Sequence, residues 1–289
     1  MSQAPQALAP GLYIVSTPIG NARDITLRAL DTLSIADVLA AEDTRSLRRL
    51  MEIHGIPRSG RDILPYHDHN GATARPKLLG LLRAGKSVAY ASEAGTPLVS
   101  DPGFDLVRAA RAEDLPVFSN PGASAALAAL TVAGLPSDRF LFAGFPPAKG
   151  GARSRWLSEI ATQPATVILY ESARRIPQLL DALTPLISDD RDVALCRELT
   201  KRFEEVLRGP IGELKSQLKE MPQLRGECVL LIAPYIAPEP ETEDVDAALI
   251  NALETLSVKD AARAVANALN IPRREAYNRA QVLKKGPQP

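Results

Sequence analysis

After a polar, small-residue start the chain turns apolar at Gly11-Leu12-Tyr13-Ile14-Val15, a β-prone run that stops at Thr17-Pro18-Ile19-Gly20-Asn21. Over 25–33 the apolar residues fall instead at helical spacing, so this stretch predicts strand, turn, helix. The rhythm repeats. An apolar run at 38–41 precedes Glu42-Asp43-Thr44-Arg45 and a helix over 46–53, and another at 87–91 precedes Ser92-Glu93-Ala94-Gly95-Thr96-Pro97. A helix over 104–112 then leads to a strand at 116–118. Strands alternating with helices predict a largely parallel sheet covered on both faces, whose strand-end loops gather on the edge where such folds bind ligands.

Asn120-Pro121-Gly122-Ala123-Ser124 reads as a hinge, followed by an alanine-rich helix over 125–133. Strands at 140–142, 166–170, 193–196 and 228–232, separated by helices over 153–160, 176–183 and 211–218, again predict α/β structure. Pro234, Pro238 and Pro240 interrupt any regular element and mark a linker. Beyond it Val245, Ala248, Leu249, Ala252, Leu253 and Leu256 share one helical face, Ser257 with Asp260 makes a capping box for a helix over 258–269, and Pro272 suits the first turn of a third helix. The expected organisation is a loose tail over 1–10, an N-terminal α/β lobe over 11–120, a second α/β lobe over 121–236, and a small helix-turn-helix-like domain over 241–289.

Composition narrows this picture in a few places. A chain of 289 residues exceeds the usual span of one core. With 45% hydrophobic and 24% charged residues it is globular, and a formal net charge of zero means that the whole chain advertises no polyanionic partner. The local exception is the last helix and its tail, where Arg273, Arg274, Arg279, Lys284 and Lys285 face Glu275 alone, a basic end suited to nucleic acid phosphate. The two cysteines, Cys196 and Cys228, each sit inside an apolar run, which predicts neither a disulfide nor a zinc knuckle and fits a reducing, cytoplasmic setting. No stretch reads as a membrane span or targeting segment.

Neither GxGxxG nor GxxxxGK[ST] occurs, so two familiar phosphate-cradling loops are missing. In their place Thr17-Pro18-Ile19-Gly20-Asn21, Ala94-Gly95-Thr96-Pro97 and Pro121-Gly122-Ala123-Ser124 each put a rigid residue beside a small one directly after a strand. Small residues let a ligand approach the backbone and proline holds the loop around it. Glu42-Asp43-Thr44-Arg45 lies on the same edge, as a carboxylate base with a phosphate-holding arginine or as a plain helix cap. His67-Asp68-His69-Asn70 alternates imidazoles about a carboxylate, yet only His54 remains as a further histidine, so substrate contact is favoured over metal. Lys201, after Arg197-Glu198-Leu199-Thr200, is the residue of that segment hardest to assign to an ion pair.

Read in order, GLYIVSTPIGNARDITLRAL, AAEDTRSL, YHDHN, SEAGTPLVSDPG, AGLPSDRF, FPPAKG, LYESARR, RELTK and RGECVLLI resemble the ribosomal RNA small subunit methyltransferase I family, within the tetrapyrrole methylase-like superfamily. The resemblance runs over 12–232, and the last helices resemble a small helical domain that many members append. It implies two α/β lobes of the tetrapyrrole methylase type in a homodimer, S-adenosylmethionine between the lobes, and methylation of a cytidine ribose 2′-hydroxyl in 16S ribosomal RNA. The implied partner is small-subunit RNA or the 30S subunit, with no membrane and no metal. Glu93 stands where the family usually has aspartate, and Ala123 where a second proline is common.

Carried over by position, the cofactor is expected at Pro18, Ser92, Glu93, Ala94, Gly95, Thr96, Val99, Ala123, Ser124 and Tyr170, with Arg197 and Gly226 as further contacts. A ribose hydroxyl is a weak nucleophile, so a general base or a fixed positive charge is sought among Asp43, Glu42, His67 and Lys201, the last with a lowered pKa beside a cationic cofactor. Arg45, His67, His69, Lys149, Arg153, Arg155, Arg174, Arg175, Arg273 and Arg274 are the expected RNA contacts, against a reading of each as solvated surface charge. Two rival readings remain: a methylase of tetrapyrrole carbon atoms, and a ligand-sensing DNA-binding regulator.

Overall fold

A computed structural model describes residues 7–221, 223–237, 242–269 and 271–285. The chain divides into one unit ending at Tyr235 and a second beginning at Ile236. Residues 1–6 of the expected tail, together with Pro238 and Pro240 of the expected linker, lie outside the described residues. The rest of the tail is tied down: Leu8 packs on the core, and the Tyr13 hydroxyl donates to the Ala9 carbonyl (2.9 Å).

The first unit opens with β1 (Gly11–Val15), α1 (Leu27–Ile35), β2 (Val38–Ala41), α2 (Thr44–Ile53), β3 (Ile63–Pro65), α3 (Gly71–Arg83), β4 (Ser87–Ala91), α4 (Phe104–Ala112) and β5 (Val117–Asn120). The strands form a parallel sheet in the order β3-β2-β4-β1-β5. Its central strand β4 is buried throughout, as the unbroken apolar run Ser87-Val88-Ala89-Tyr90-Ala91 requires of a strand covered on both faces. Leu33 of α1 with Leu47 and Met51 of α2 fills one face, and Leu78 and Leu82 of α3 with Leu106 of α4 fill the other. Polar side chains set the helix starts. Thr26 accepts the Ala29 amide (3.2 Å) to begin α1, and Asp43 accepts those of Arg45 and Ser46 (2.7 and 3.3 Å) to begin α2.

The unit continues through α5 (Ala125–Ala133), β6 (Phe140–Gly144), α6 (Gly150–Ala161), β7 (Thr166–Ser172), α7 (Ile176–Leu183), β8 (Asp192–Arg197), β9 (Glu205–Pro210), α8 (Ile211–Glu220) and β10 (Glu227–Ile232). Here the order is β6-β7-β10-β8-β9, and only β6 and β7 run parallel. A half-buried hairpin partner, β9, joins the expected strands, and β10 runs antiparallel to both β7 and β8, so the sheet is mainly antiparallel. Helices α6, α7 and α8 cover one face, while α5 lies on the other through Ala126, Ala129 and Leu130. Cys196 and Cys228 are free and buried, one in the core on each face, and burial pushes both thiols up to about 12.

In the second unit α9 (Thr242–Leu253), α10 (Val258–Leu269) and α11 (Arg273–Lys285) enclose a core of Val245, Leu249, Val265, Ala276 and Ala280. Ser257 accepts the Asp260 amide (3.2 Å), the expected cap of α10. Arg279 of α11 donates to Asp246 of α9 (2.5 Å), which removes it from the free basic surface that the sequence suggests. No helix among the described residues is long and apolar enough to cross a membrane.

Candidate functional site

Three strand-end loops of the first sheet are stitched together at the point where the strand order reverses. Thr17, after β1, and Gly95, after β4, exchange both backbone hydrogen bonds (2.8 and 3.1 Å). Ser16 donates to Thr96 (3.2 Å), whose hydroxyl in turn donates to the Ala123 carbonyl beyond β5 (2.9 Å). Ser92 closes its own turn on the Gly95 carbonyl (2.9 Å). Gly95 has φ +79°, a backbone conformation that favours glycine, and a Cβ there meets Ile19 Cγ2 at a tight 3.3 Å. Leu98 (φ 73°) and Ser100 (φ 64°) are left-handed without being glycine, a clustering of strain typical of functional loops.

These loops form one wall of a cavity of about 290 Å³. Ala94, Gly95, Thr96 and Val99 line that side; Tyr170 and Cys196 come from β7 and β8 of the second sheet, with Gly226 just before β10 and Ser124 at the start of α5. Most of the lining is apolar, and Phe145 packs edge-on against Tyr170 (5.5 Å between ring centres). The Tyr170 hydroxyl accepts the Ala126 amide (3.1 Å), a cap that Ser124 does not itself supply. Burial raises the Tyr170 pKa, against the lowering effect of that amide and of Ser124.

Asp101 also lines this cavity and at the same time a second one of about 200 Å³, bounded by Tyr66, His67, Asp68 and Arg75. Burial, reinforced by the charges of Glu42, Glu93 and Asp68, pushes its carboxyl up to about 7. A group titrating near neutrality in a cleft is a candidate for proton transfer.

Residues 11–215 match the family model described as Tetrapyrrole (Corrin/Porphyrin) Methylases, and residues 239–284 match that of the RsmI C-terminal HTH domain. A ribosomal RNA small subunit methyltransferase I of Mesorhizobium japonicum is 44% identical over 277 residues, covering 96% of this chain and 93% of the relative. The chain belongs to the ribosomal RNA small subunit methyltransferase I family. Proteins of that name from Erythrobacter litoralis (45% identical; 96% of this chain, 97% of the relative) and Escherichia coli O157:H7 (43%; 86% and 85%) agree. At the level of fold, the chain is similar to the methyltransferase CobJ (TM-score 0.59, 17% identity, 78% of this chain and 94% of that one). It is likewise similar to a Thermus thermophilus uroporphyrin-III-C-methyltransferase (0.54, 21%, 78% and 94%).

Set beside the positions that the family resemblance implies, the remaining cofactor candidates fall outside the large cavity. Pro18, Ser92 and Glu93 border a third cavity of about 190 Å³ against α2. Ala123 stands behind the wall as an acceptor, and Arg197 is held by Glu205 (3.0 Å) and the Arg225 carbonyl (3.3 Å).

The catalytic candidates change character. Hydrogen bonds from the Arg45 side chain and backbone hold Asp43 at about 2, so it is a helix cap and a poor proton acceptor. Glu42 accepts the Glu93 amide (3.1 Å) and so anchors the loop after β4. The lowered pKa expected of Lys201 is reversed: burial pulls it down, but Glu227 (2.8 Å) and Glu198 (3.0 Å) outweigh that and raise it. Lys201 is a cation at neutral pH, packed where a side chain at Gly20 would stand.

Among the RNA candidates, Arg153 is buried and donates to the Pro147 carbonyl (3.1 Å), which takes it away from any RNA backbone. Arg175 lies 3.2 Å from buried Glu171 and is likewise structural. Arg45, His69, Lys149, Arg155, Arg174, Arg273 and Arg274 are exposed, whereas His67 faces the second cavity. Among the described residues no group of three or more His, Cys, Asp and Glu side chains gathers to hold a metal. Asp101, Phe145 and Ile19 were not legible as site residues. The only signal for Asp101 was its place in Ser100-Asp101-Pro102-Gly103, which reads as a turn.

Proposed function

We propose that the chain transfers the methyl group of S-adenosylmethionine to the 2′-hydroxyl of a cytidine ribose in small-subunit (16S) ribosomal RNA, acting in the cytoplasm as a homodimer. Family membership supports methylation of small-subunit ribosomal RNA. The observation that carries the finer reading is the mainly apolar cavity at the switch point, with an acidic group on the wall it shares with a second, polar cavity.

The cavity's residues fit this cofactor. Gly95 lines the wall at a positive φ that disfavours any side chain, Phe145 and Tyr170 offer aromatic surface for a purine, and Asp101 lies on the wall for its cationic centres. When bound, the cofactor supplies an electrophilic methyl on a sulfonium. Ala94, Gly95, Thr96, Val99, Ser124, Tyr170 and Gly226 hold and orient it, while Pro18, Ser92, Glu93, Ala123 and Arg197 support them from behind. Because the methyl is already activated, fixing the hydroxyl in line with it supplies much of the rate.

Glu42 positions the loop after β4, and Lys201 provides positive charge at the rim rather than a base. Exposed Arg45, His69, Lys149, Arg155 and Arg174 track the RNA backbone, and Arg273 and Arg274 give the helical unit its own grip. An unstacked nucleotide then enters the second cavity beside His67.

The test is transfer of labelled methyl to purified small subunits lacking the modification, followed by nuclease mapping. Label on one cytidine ribose is expected. No label in the RNA, with transfer to a tetrapyrrole precursor, overturns the reading.

A further inference from the structure

The loop after β1 has two sides. Toward the large cavity it is bridged to Gly95 through Thr17; away from it, Thr17, Pro18 and Gly20 face the third cavity of about 190 Å³, across which α2 stands. Whatever occupies the third cavity therefore lies against the loops that wall the first.

Helix α2 turns two stripes inward. Leu47 and Met51, four residues apart, are buried in the core of the first sheet. Ser46, Arg49, Leu50 and Ile53, at i, i+3, i+4 and i+7, form a neighbouring stripe that lines the third cavity. Ile53 is 56% exposed and Leu50 half-buried, so together with Pro18 they leave an apolar floor that the chain itself does not cover. Of the lining residues Arg49 is the one cation and Glu93 the one anion. Arg48 and Arg49 are exposed and hold no hydrogen bond or ion pair among the described residues, unlike Arg45, which Asp43 holds.

Hydrogen bonds hold the walls in place. His54 Nε2 donates to the Ala22 carbonyl (2.9 Å) and ties the end of α2 to the loop after β1, while the Thr17 hydroxyl donates to the Ser92 carbonyl (3.4 Å). The Asn21 amide donates to the Thr200 hydroxyl (3.1 Å), which keeps the segment carrying Lys201 against Gly20. A second cation thus stands by the same loop.

We infer that the third cavity receives a nucleotide adjacent to the methylated one in the same RNA strand, its base lying on Pro18, Leu50 and Ile53 and its phosphate meeting Arg49. This rests on the reading of the protein as a methyltransferase of small-subunit ribosomal RNA. An apolar floor with a cation at its edge is the combination that holds unstacked bases with little regard to sequence. A single strand carries amino donors on its base edges as well as charge on its phosphates, so a rim with one guanidinium and one carboxylate suits it better than a free anion. The placement also follows the strand order. The second cavity opens by the ends of β3 and β4 and the third by those of β4 and β1, and the four strands β3-β2-β4-β1 span about 14 Å at the usual spacing. A nucleotide held in the second cavity must lay its neighbours along this edge.

The test uses the full chain with Arg49→Ala, Arg49→Lys and Ile53→Ser. KM for small subunits is expected to rise about five- to tenfold in Arg49→Ala and in Ile53→Ser with kcat within about twofold, as for loss of binding shared by ground and transition states. Arg49→Lys is expected to recover most of the loss. In filter binding, the slope of log affinity against log salt is expected to shrink by about 0.7 in Arg49→Ala and to stay unchanged in Ile53→Ser. Calorimetric affinity for S-adenosylmethionine should be that of the wild type in all three. Irradiation of the wild type with small subunits containing 4-thiouridine is expected to link α2 to a nucleotide beside the methylated cytidine. KM and salt slope unchanged in Arg49→Ala, cofactor affinity lost in parallel, or linkage of α2 to a ribosomal protein or to a second copy of the chain overturns the assignment alone. No transfer to RNA by the wild type overturns the functional reading and the assignment with it. Should a variant not fold, the linkage decides: α2 joined to RNA at that position is required, and its absence refutes the assignment.

Discussion

Tyr170→Phe isolates one hydroxyl that joins a strand of the second sheet to the start of a helix. In the native chain that hydroxyl accepts the Ala126 amide at 3.1 Å, and Ser124 at the N-cap makes no cap bond of its own. Removing the oxygen leaves a part-buried amide without its acceptor, a loss of about 1 kcal/mol where water can partly replace it. For a unit of this size that lowers the melting temperature by about 2–4 °C. The ring itself stays, with its edge-on contacts to Phe142 (4.9 Å) and Phe145 (5.5 Å), so the cavity wall is unchanged. Thermal melts followed by circular dichroism and calorimetric titration with S-adenosylmethionine read the two effects separately. Affinity is expected within about threefold of wild type, a difference below 1 kcal/mol. An unchanged melting temperature with a tenfold weaker cofactor refutes the reasoning, because the hydroxyl then serves the ligand and not the helix.

Gly95→Val places a β-branched residue at φ +79°, costing about 1–2 kcal/mol of backbone strain, and is expected to weaken cofactor binding at least tenfold on the scale of 1.4 kcal/mol per decade; undiminished binding removes the role given to this glycine. Asp43→Asn keeps an acceptor for the first turn of α2 and is expected to leave turnover within a few-fold, while Asp43→Ala loses about 1 kcal/mol of stability; a large fall in turnover for Asn restores the carboxylate as a base. The Asp43 carboxyl lies at about 2, below its unfolded value, so its stabilisation is full above pH 4 and drains away as pH falls toward 2, and acid titration of Asp43→Asn should lack that component. Lys201→Arg should preserve turnover better than Lys201→Ala, since charge rather than basicity is what the raised pKa leaves available, and equal losses in the two contradict this. Ending the chain after Tyr235 is expected to leave the first unit's melting transition intact while weakening small-subunit binding in a filter assay; loss of the transition shows that the helical unit is needed for folding.

Much of the fold was legible because apolar runs and helical periodicity coincide with burial. The helix over 125–133, for example, has the bounds that its alanine pattern suggests. What escaped has local causes. Helix α3 carries Pro76 and Gly80 inside it, residues that argue against a helix until packing of Leu78, Leu79 and Leu82 overrides them. Strand β3 spans only Ile63–Pro65, and β9 is half-buried with Gly209 and Pro210 at its end, so neither shows a clear period. The antiparallel pairing of the second sheet depends on contacts between strands distant in sequence and leaves no mark within any one of them.

For the site, the glycine and proline loops announced a ligand edge, because backbone demands are written locally. The protonation behaviour was not legible. Lys201 owes its raised pKa to Glu227 and Glu198, which outweigh its burial, and Asp101 its elevated one to burial reinforced by Glu42, Glu93 and Asp68, surroundings created only by folding. Arg153 was indistinguishable from its exposed neighbours Lys149 and Arg155 until α6 turned it inward.

The two cysteines lead to a practical end. Both are buried, one on each face of the second sheet, with thiols held far above neutral pH, and thiols in that state react sluggishly with electrophiles. The native chain is thus already a silent background for site-directed labelling. A single cysteine introduced at exposed Arg155 or Arg273 should take up a maleimide dye while Cys196 and Cys228 stay dark, so that fluorescence can report how each surface approaches a ribosomal subunit without first stripping the protein of its own sulfur.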